Sequence, residues 1–445
     1  MTPDDRLVSL IRRNPPPPPT TREGVIEYFR PRLEAIGLKG PLDSYFKGTK
    51  IFHVAGTKGK GSTCAFIESI CRANGLKTGL FTSPHLVSVR ERFRINGLPV
   101  EEDLLGRYFD DVLHTLEEKQ LVPGFFSFLT LVAFRMFSEL QLDVIILEVG
   151  LGGRLDATNI IEKPSVCGIT LLDLDHVEFL GNTIELIAGE KAGIFKNGVP
   201  AFSIDGQEDG ALSVLRRVAG EVGVQSLELA KPIPGDWELG LTGSYQRANA
   251  ALAVDLCKNV FPALGDQVIR QGLKSAVCKG RSEVVQDSNG NTLYLDGAHT
   301  PKSLNAAVNW VVEQIEADKG QPRENILLFN CMHSRDPLTL FAPFRGNPIK
   351  FAKVIFAPTL FQKPTKVKRR KANEILGLDT AESAQDETWQ DTLKIVWDHH
   401  IGNGESKAFP DLQKALDVLS TLSNSRIFVT GSFLLVGDTM NLLKI

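Results

Sequence analysis

The chain has 445 residues, 42% hydrophobic and 23% charged, with a formal net charge of −3. That length exceeds one ordinary core and predicts two domains, while the near-neutral balance excludes a global pull towards nucleic acid or an acidic membrane surface. Six cysteines (Cys64, Cys71, Cys167, Cys257, Cys278, Cys331) show no C-x-x-C spacing, which favours buried, reduced thiols of a cytosolic-type protein over disulfides or a zinc site.

The N-terminus lacks the charged-then-apolar layout of a secretory signal and carries Asp4 and Asp5 early, against a mitochondrial presequence. Pro15 to Pro19 read as a spacer, and Arg22 to Ile36 as an amphipathic helix. From Ile51 strands and helices alternate: strand 51–55, helix 62–74, strand 77–82, helices 101–119 and 126–139, strand 143–149, with further apolar runs at 166–172 and 199–203. That βα alternation predicts a largely parallel sheet covered on both faces. A helical region follows at Leu252 to Val260.

Near residue 280 the pattern restarts, with strands 282–286 and 292–295, helix 302–317, strands 325–330 and 353–357, helix 410–422 and strand 426–430. The expected fold is therefore α/β, as a larger domain over 1–280 and a smaller Rossmann-like domain over 281–445, with ligands bound in a cleft at the carboxyl ends of strands. The basic run Lys366 to Lys371 precedes an acidic stretch and reads as a solvated loop. No apolar stretch is long enough to span a bilayer.

Gly56-Thr57-Lys58-Gly59-Lys60-Gly61-Ser62 stand between the apolar run 51–55 and a helical pattern. Strand, glycine-rich turn and helix point backbone N–H groups and a helix N-terminus at a phosphate. Lys60 is expected to reach the outer phosphates, and Ser62 to face a phosphate or its Mg²⁺. Gly61 separates the Lys from the Ser, which departs from the standard phosphate loop and argues against an ordinary GTPase or kinase. No Asn-Lys-x-Asp guanine reader is present.

Glu148 ends the apolar strand 144–147 and precedes Gly150-Leu151-Gly152-Gly153, the position for a Mg²⁺ carboxylate opposite a phosphate loop. His176 and Lys191, each ambiguous alone, gain meaning from that combination. Ser83 opens a polar loop through Arg90, Arg92 and Arg94; two readings stand for these arginines, capping a substrate's carboxylates or forming salt bridges on a strand face. In the second domain, Asp296 is placed for a ribose hydroxyl and His299 for a phosphate or carboxylate. Arg281, at the junction, is placed to neutralise a transferring phosphoryl group, and Ser432 to supply a hydroxyl.

These segments, in this order, resemble the folylpolyglutamate synthase group of the Mur ligase family of ATP-dependent amide-forming enzymes. The resemblance rests on Gly56–Thr63, Ser83–Leu86 with Arg90–Gly97, Glu148–Asn159, Asp175-His176, Glu190–Lys196 and Asp296–His299. It implies a central-type phosphate-loop domain, 1–280, binding ATP and folate, and a C-terminal-type domain, 281–445, binding glutamate. Gly56, Thr57, Lys58, Gly59, Lys60, Gly61 and Ser62 would form the ATP loop. Ser83 and Glu148 would hold Mg²⁺, and His176 a second divalent ion aided by a carbamylated Lys191. Gln246 and Asn249 would contact adenine, and Arg281 and Asp296 the γ-phosphate and ribose, with His299 and Ser432 serving the incoming glutamate.

The implied reaction adds L-glutamate in γ-linkage to a reduced folate through an acyl phosphate. Lys60, His176, Lys191, Arg281 and His299 would be the catalytic groups. The rival is dihydrofolate synthase, alone or in a bifunctional enzyme; Lys58, where bifunctional relatives usually have Asn, favours polyglutamylation. A cytoplasmic monomer without nucleic-acid partners is expected, and a mitochondrial isoform is compatible. One departure stands out: the family's Trp-Pro-Gly-Arg is here Cys278-Lys279-Gly280-Arg281.

Overall fold

The computed structural model describes residues 4, 10, 19–318, 320, 322–360, 371–377 and 388–445. Most of the polyproline segment and of the basic run lie outside the described residues. Two compact units are present: one formed by Met1–Gly240 and Tyr245–Val277, the other by Leu241–Ser244 and Cys278–Ile445. The division thus falls three residues before 280 and assigns Leu241–Ser244 to the second unit.

In the first unit eight strands form one sheet: β1 (Lys50–Ala55), β2 (Thr78–Phe81), β3 (Phe93–Ile95), β4 (Leu98–Pro99), β5 (Val144–Glu148), β6 (Val166–Ile169), β7 (Ala201–Ser203) and β8 (Leu227–Leu229). Their order is β4-β3-β2-β5-β1-β6-β7-β8. All pairings are parallel except β2–β3 and β3–β4. β1 lies between β5 and β6, Val54 pairing with Glu148 on one side and Gly168 on the other. Neighbours inserted from later in the chain make this a switch point, whose carboxyl-end crevice is where open α/β sheets take ligands.

The principal helices of this unit are α1 (Arg22–Ala35), α2 (Lys60–Ala73), α3 (Glu102–Glu118), α4 (Phe125–Glu139), α5 (Ile184–Ala192), α6 (Asp209–Val222), α7 (Gln246–Val260) and α8 (Asp266–Ser275). Residues Ser62 to Cys71 of α2 are all buried, because the helix packs on the sheet and is covered in turn by α7 and α8. Among the enclosed polar side chains, Glu68 is partnered by Arg94 and Ser69 by Ser275. α4 brings Phe128, Phe134 and Phe137 into the other large cluster; each fully buried ring stabilises by about 1.5–3 kcal/mol.

The second unit has a six-stranded sheet of β9 (Glu283–Gln286), β10 (Thr292–Leu295), β11 (Asn325–Phe329), β12 (Phe351–Phe356), β13 (Glu405–Ala408) and β14 (Arg426–Thr430), ordered β13-β12-β11-β14-β10-β9. Only β9–β10 is antiparallel. Helices α9 (Pro301–Ala317), α10 (Trp389–His400), α11 (Leu412–Ser420) and α12 (Phe433–Leu443) cover it. Its core centres on Trp397, edge-on to Phe341 at 5.1 Å, a geometry favoured by the ring quadrupoles.

The α/β alternation is present as expected, and all six cysteines are free, five of them buried. One reading is corrected. The polar loop through Gly97 contains an antiparallel hairpin, β3–β4, turned at Asn96-Gly97 with φ of 50° and 83°. Asn-Gly is the sequence signal for that turn; the arginines flanking it masked the strand. Helices α6, α8, α10 and α12 and strands β8 and β13 were not anticipated.

Candidate active site

The loop after β1 is fixed from below before it meets any ligand. The N–H groups of Thr57 and Lys58 both donate to Leu171 O at 3.0 Å. Gly56 has φ 147° and Gly59 φ 89°; a Cβ on the first would overlap Thr170 Oγ1, and on the second Asn249 Oδ1. Both positions therefore require glycine, for conformation and for space. Gly59 precedes α2 without offering a side-chain cap, so the first N–H groups of α2 point outward as an anion cradle. Lys60 folds back over the loop, its Nζ donating to Gly56 O at 3.1 Å.

Ser62 is buried, and its Oγ accepts from Gln246 Nε2 at 3.2 Å. Gln246 Oε1 in turn accepts from Asn249 Nδ2 at 2.9 Å. Gln246 is 0% exposed. This departs from the adenine contact implied for Gln246: its amide is spent behind the loop, where α7 braces α2.

Glu148, at the end of β5, is buried. Its Oε2 accepts from Thr82 Oγ1 and, at 3.0 Å, from Ser83 N. A Cβ built on Gly61 would lie 3.6 Å from the same Oε2, so the carboxylate faces the first turn of α2. Glu148, Ser83 and the phosphate loop are thus one cluster.

A second cluster adjoins it. Lys58 Nζ pairs with Asp175 Oδ2 at 3.3 Å, and Asp175 Oδ1 accepts from His176 N at 3.1 Å. His176 sits in the left-handed region, φ 51°, at the head of a one-turn helix. Lys191 of α5 is 4% exposed, and burial, with Lys60 nearby, brings its ammonium down to about 7 against the opposing pull of Asp175. Desolvation of this kind favours the neutral amine.

The turn after Glu148 carries groups the sequence reading passed over. Asp156 Oδ2 accepts from Gly150 N and Leu151 N at 3.0 and 3.1 Å, and Oδ1 from Thr158 N and Oγ1 at 2.9 and 2.6 Å. Asp-x-Thr is a readable Asx-type signal. Arg154 grips Glu190 through Nε and Nη2, at 3.0 and 2.6 Å. The turn is thereby docked on α5 beside Lys191.

The salt-bridge reading is met at Arg94, whereas Arg90 and Arg92 make hydrogen bonds to uncharged partners. Arg94 pairs with buried Glu68 at 2.6 Å, Arg90 Nε donates to Val100 O, and Arg92 Nε donates to His85 Nδ1 at 2.8 Å. Burial and that neighbouring guanidinium bring His85 down to about 4, so its nitrogen stays an acceptor.

In the second unit, Asp296 follows β10 and accepts from Ser282 N at 2.8 Å and Ala298 N at 2.9 Å; burial pushes its carboxyl up, opposed by Arg281. The Arg281 guanidinium lies 4.5 Å from the Phe433 ring centroid. His299 Nδ1 lies 2.9 Å from Gly297 O and donates to that carbonyl. Ser432 caps α12, accepting from Leu435 N. Arg281, Asp296, His299 and Ser432 therefore gather at the carboxyl ends of the adjacent strands β10 and β14.

Among the described residues no three His, Cys, Asp or Glu side chains cluster as a metal site, and no helix is long and apolar enough to cross a membrane. No protein-family model matches the chain. It is 38% identical to a folylpolyglutamate synthase of Arabidopsis thaliana over 466 aligned residues, covering 88% of this chain and 80% of that protein. It is 42% identical to the mitochondrial folylpolyglutamate synthase of Homo sapiens, over 70% of this chain and 59% of that one. Among solved structures, E. coli FolC in complex with DHPP and ADP superposes with a TM-score of 0.74 at 26% identity, covering 100% of this chain and 98% of that one. A bifunctional folylpolyglutamate synthase/dihydrofolate synthase from Yersinia pestis, complexed with AMPPNP and a Mn ion, gives 0.76 at 28% identity with the same coverage. The chain belongs to the folylpolyglutamate synthase family.

Proposed function

We propose that this protein is an ATP-dependent ligase that adds L-glutamate in γ-linkage to the glutamate tail of reduced folates. The carrying observation is the face-to-face placement of the α2 N-terminus and Glu148, with Gly61 against the carboxylate. That pairing suits a magnesium-bound triphosphate, and the ordered motifs of the chain extend it to an amide-forming reaction.

The chemistry follows from leaving groups. A carboxylate resists attack by an amine, so the γ-phosphoryl group passes from ATP to the folate's terminal γ-carboxylate and ADP departs. The neutral amine of glutamate then attacks the carbonyl carbon, the C–O bond to phosphate breaks, and an amide and inorganic phosphate result. The chain's own groups bind and orient. The N–H groups of Lys60, Gly61 and Ser62 and the Lys60 ammonium hold the phosphates, while Arg281 stabilises charge on the transferring group. Asp296 takes the ribose, Asn249 fixes the loop, and Ser432 donates to the incoming glutamate. His299 serves as the group that accepts the amine's proton.

A divalent ion fits the donor set present. Glu148 and Ser83 offer hard oxygen ligands, and Mg²⁺ commonly takes one or two carboxylates and completes its shell with phosphate and water, in keeping with the lack of a three-ligand cluster among the described residues. When bound there it would neutralise phosphate charge. A second ion would fall to His176 and a carbamylated Lys191, since the neutral amine that burial favours there is the form that adds CO₂. The first unit would serve ATP and folate, the second glutamate. The protein would act as a cytoplasmic monomer; a mitochondrial form is in keeping with the named human relative.

Mass spectrometry of products from tetrahydrofolate, glutamate, ATP and Mg²⁺ tests the reading: successive additions of glutamyl residues are expected. Activity confined to dihydropteroate would replace it with dihydrofolate synthase. Full turnover by Lys60→Ala would remove the phosphate-loop assignment.

A further inference from the structure

His53 is fully buried in the middle of β1, three residues before the phosphate loop. Its Nε2 lies 2.8 Å from Thr158 Oγ1. Thr158 Oγ1 stands 2.6 Å from Asp156 Oδ1. Asp156 also receives three backbone N–H groups, from Gly150, Leu151 and Thr158, and a backbone N–H can only donate. Burial pushes the Asp156 carboxyl up, but these N–H groups and the Thr158 hydroxyl oppose that rise; with four donors converging on it, Asp156 is the acceptor of the cluster and the single Thr158 proton goes to it. Thr158 Oγ1 then has only lone pairs to offer His53, so the proton between them belongs to Nε2. Among the described residues nothing pairs with His53 Nδ1, as befits the unprotonated nitrogen of that tautomer.

We infer that His53 is a positioning residue: a neutral, Nε2-protonated imidazole that donates to Thr158, and through it holds Asp156 and the Gly150–Leu151 turn in place behind Glu148. Burial, with Lys196 and Arg22 nearby, keeps the imidazole from charging. The chain of bonds runs from the sheet's central strand to the turn that follows the proposed magnesium carboxylate. That turn in turn reaches α5, where Arg154 N donates to Glu190 O at 2.7 Å. One donor on β1 thus sets two walls of the site from behind. Outer-shell groups of this kind, hydrogen-bonded to a ligand-bearing segment, commonly affect metal affinity or activity by about 10–100-fold.

The experiment has one arm that rests on the ligase reading and two that do not. ¹⁵N-histidine NMR of the unliganded protein is expected to show a proton on His53 Nε2 alone at neutral pH; a proton on Nδ1 or an imidazolium overturns the inference. Amide hydrogen exchange is compared in His53→Leu and His53→Gln, since a glutamine carries an N–H close to the Nε2 position. Gly150 and Leu151 are expected to exchange at least about 10-fold faster in the Leu variant, with β1 amides unchanged, and to recover in the Gln variant. Equal exchange in all three proteins overturns the inference, as does loss throughout the unit in both variants. In turnover, His53→Leu is expected to raise the Mg²⁺ concentration for half-activity by about 10–100-fold, with His53→Gln close to the parent. If all three proteins lack ligase activity while the NMR and exchange results hold, the proposed function fails and the positioning role stands.

Discussion

Gly59→Ala tests whether the phosphate loop is held by shape. The substitution adds one methyl at φ 89°, where a left-handed backbone costs a non-glycine residue about 1–2 kcal/mol. It also drives Cβ into Asn249 Oδ1. Asn249 is buried and tied to Gln246, itself tied to Ser62, so the side chain has nowhere to retreat without disturbing α2. Overpacking of that kind costs about 1–3 kcal/mol, for a sum of roughly 2–5 kcal/mol. Gly37→Ala is the control: φ is 91° and nothing lies within 4 Å of its Cβ, leaving the conformational cost alone. Thermal unfolding of the two variants is expected to differ, Gly59→Ala being the less stable. Relief of the overlap by movement of the loop would instead appear in ADP affinity, measured by titration calorimetry, as a loss of about 30-fold to several thousand-fold at 1.4 kcal/mol per decade. If Gly59→Ala matches Gly37→Ala in stability and the parent in ADP affinity, the reasoning is refuted.

Glu148→Gln keeps an oxygen for Thr82 and Ser83 and removes only the charge; ligase activity is expected to fall at least about 100-fold, in the range of groups that hold charge at a transition state, with unfolding nearly unchanged, and wild-type turnover would sink the metal assignment. With Lys191 held at about 7, ¹³C-bicarbonate is expected to give a carbamate resonance that Lys191→Met lacks; its presence in both proteins would point elsewhere. Lys196 is likewise brought down to about 7 by burial and Arg22, from the ordinary 10.5. Between those values the unfolded chain holds the extra proton, so this group makes stability rise from pH 7 towards 10.5 and withholds it in full below 7. Lys196→Met is expected to flatten that rise, which unfolding at pH 7, 8.5 and 10 would measure; a parental slope in the variant refutes it.

Much of the first unit was legible because its signals are local. A glycine-rich turn between an apolar strand and an apolar helix declares itself in Gly56–Ser62, and a carboxylate closing an apolar run does so in Glu148. Helices such as α6 and α10 went unread although α6 carries a helical period, with Ala211, Leu215 and Ala219 buried at four-residue spacing. The hairpin at Asn96-Gly97 carried its own signal and was missed because the arginines around it drew a functional reading. Their partners, Glu68, Val100 and His85, are brought in only by folding.

The order of strand, turn and helix around Gly56–Ser62, and Lys60 and Glu148 as candidates, were legible in the sequence, since each signal lies within a few residues; the space that demands glycine at 56 and 59 is set by Thr170 and Asn249, which only folding brings in. Tertiary structure alone decided that Gln246 braces Ser62 from behind, that Asp156 serves the backbone of its own turn, and that His53 reaches Thr158 across 105 positions. It also lowered Lys191 to about 7, because desolvation and a neighbouring Lys60 ammonium act through space. Hydrogen-bond geometry and dielectric surroundings are properties of the packed chain, and no pattern along the sequence encodes them.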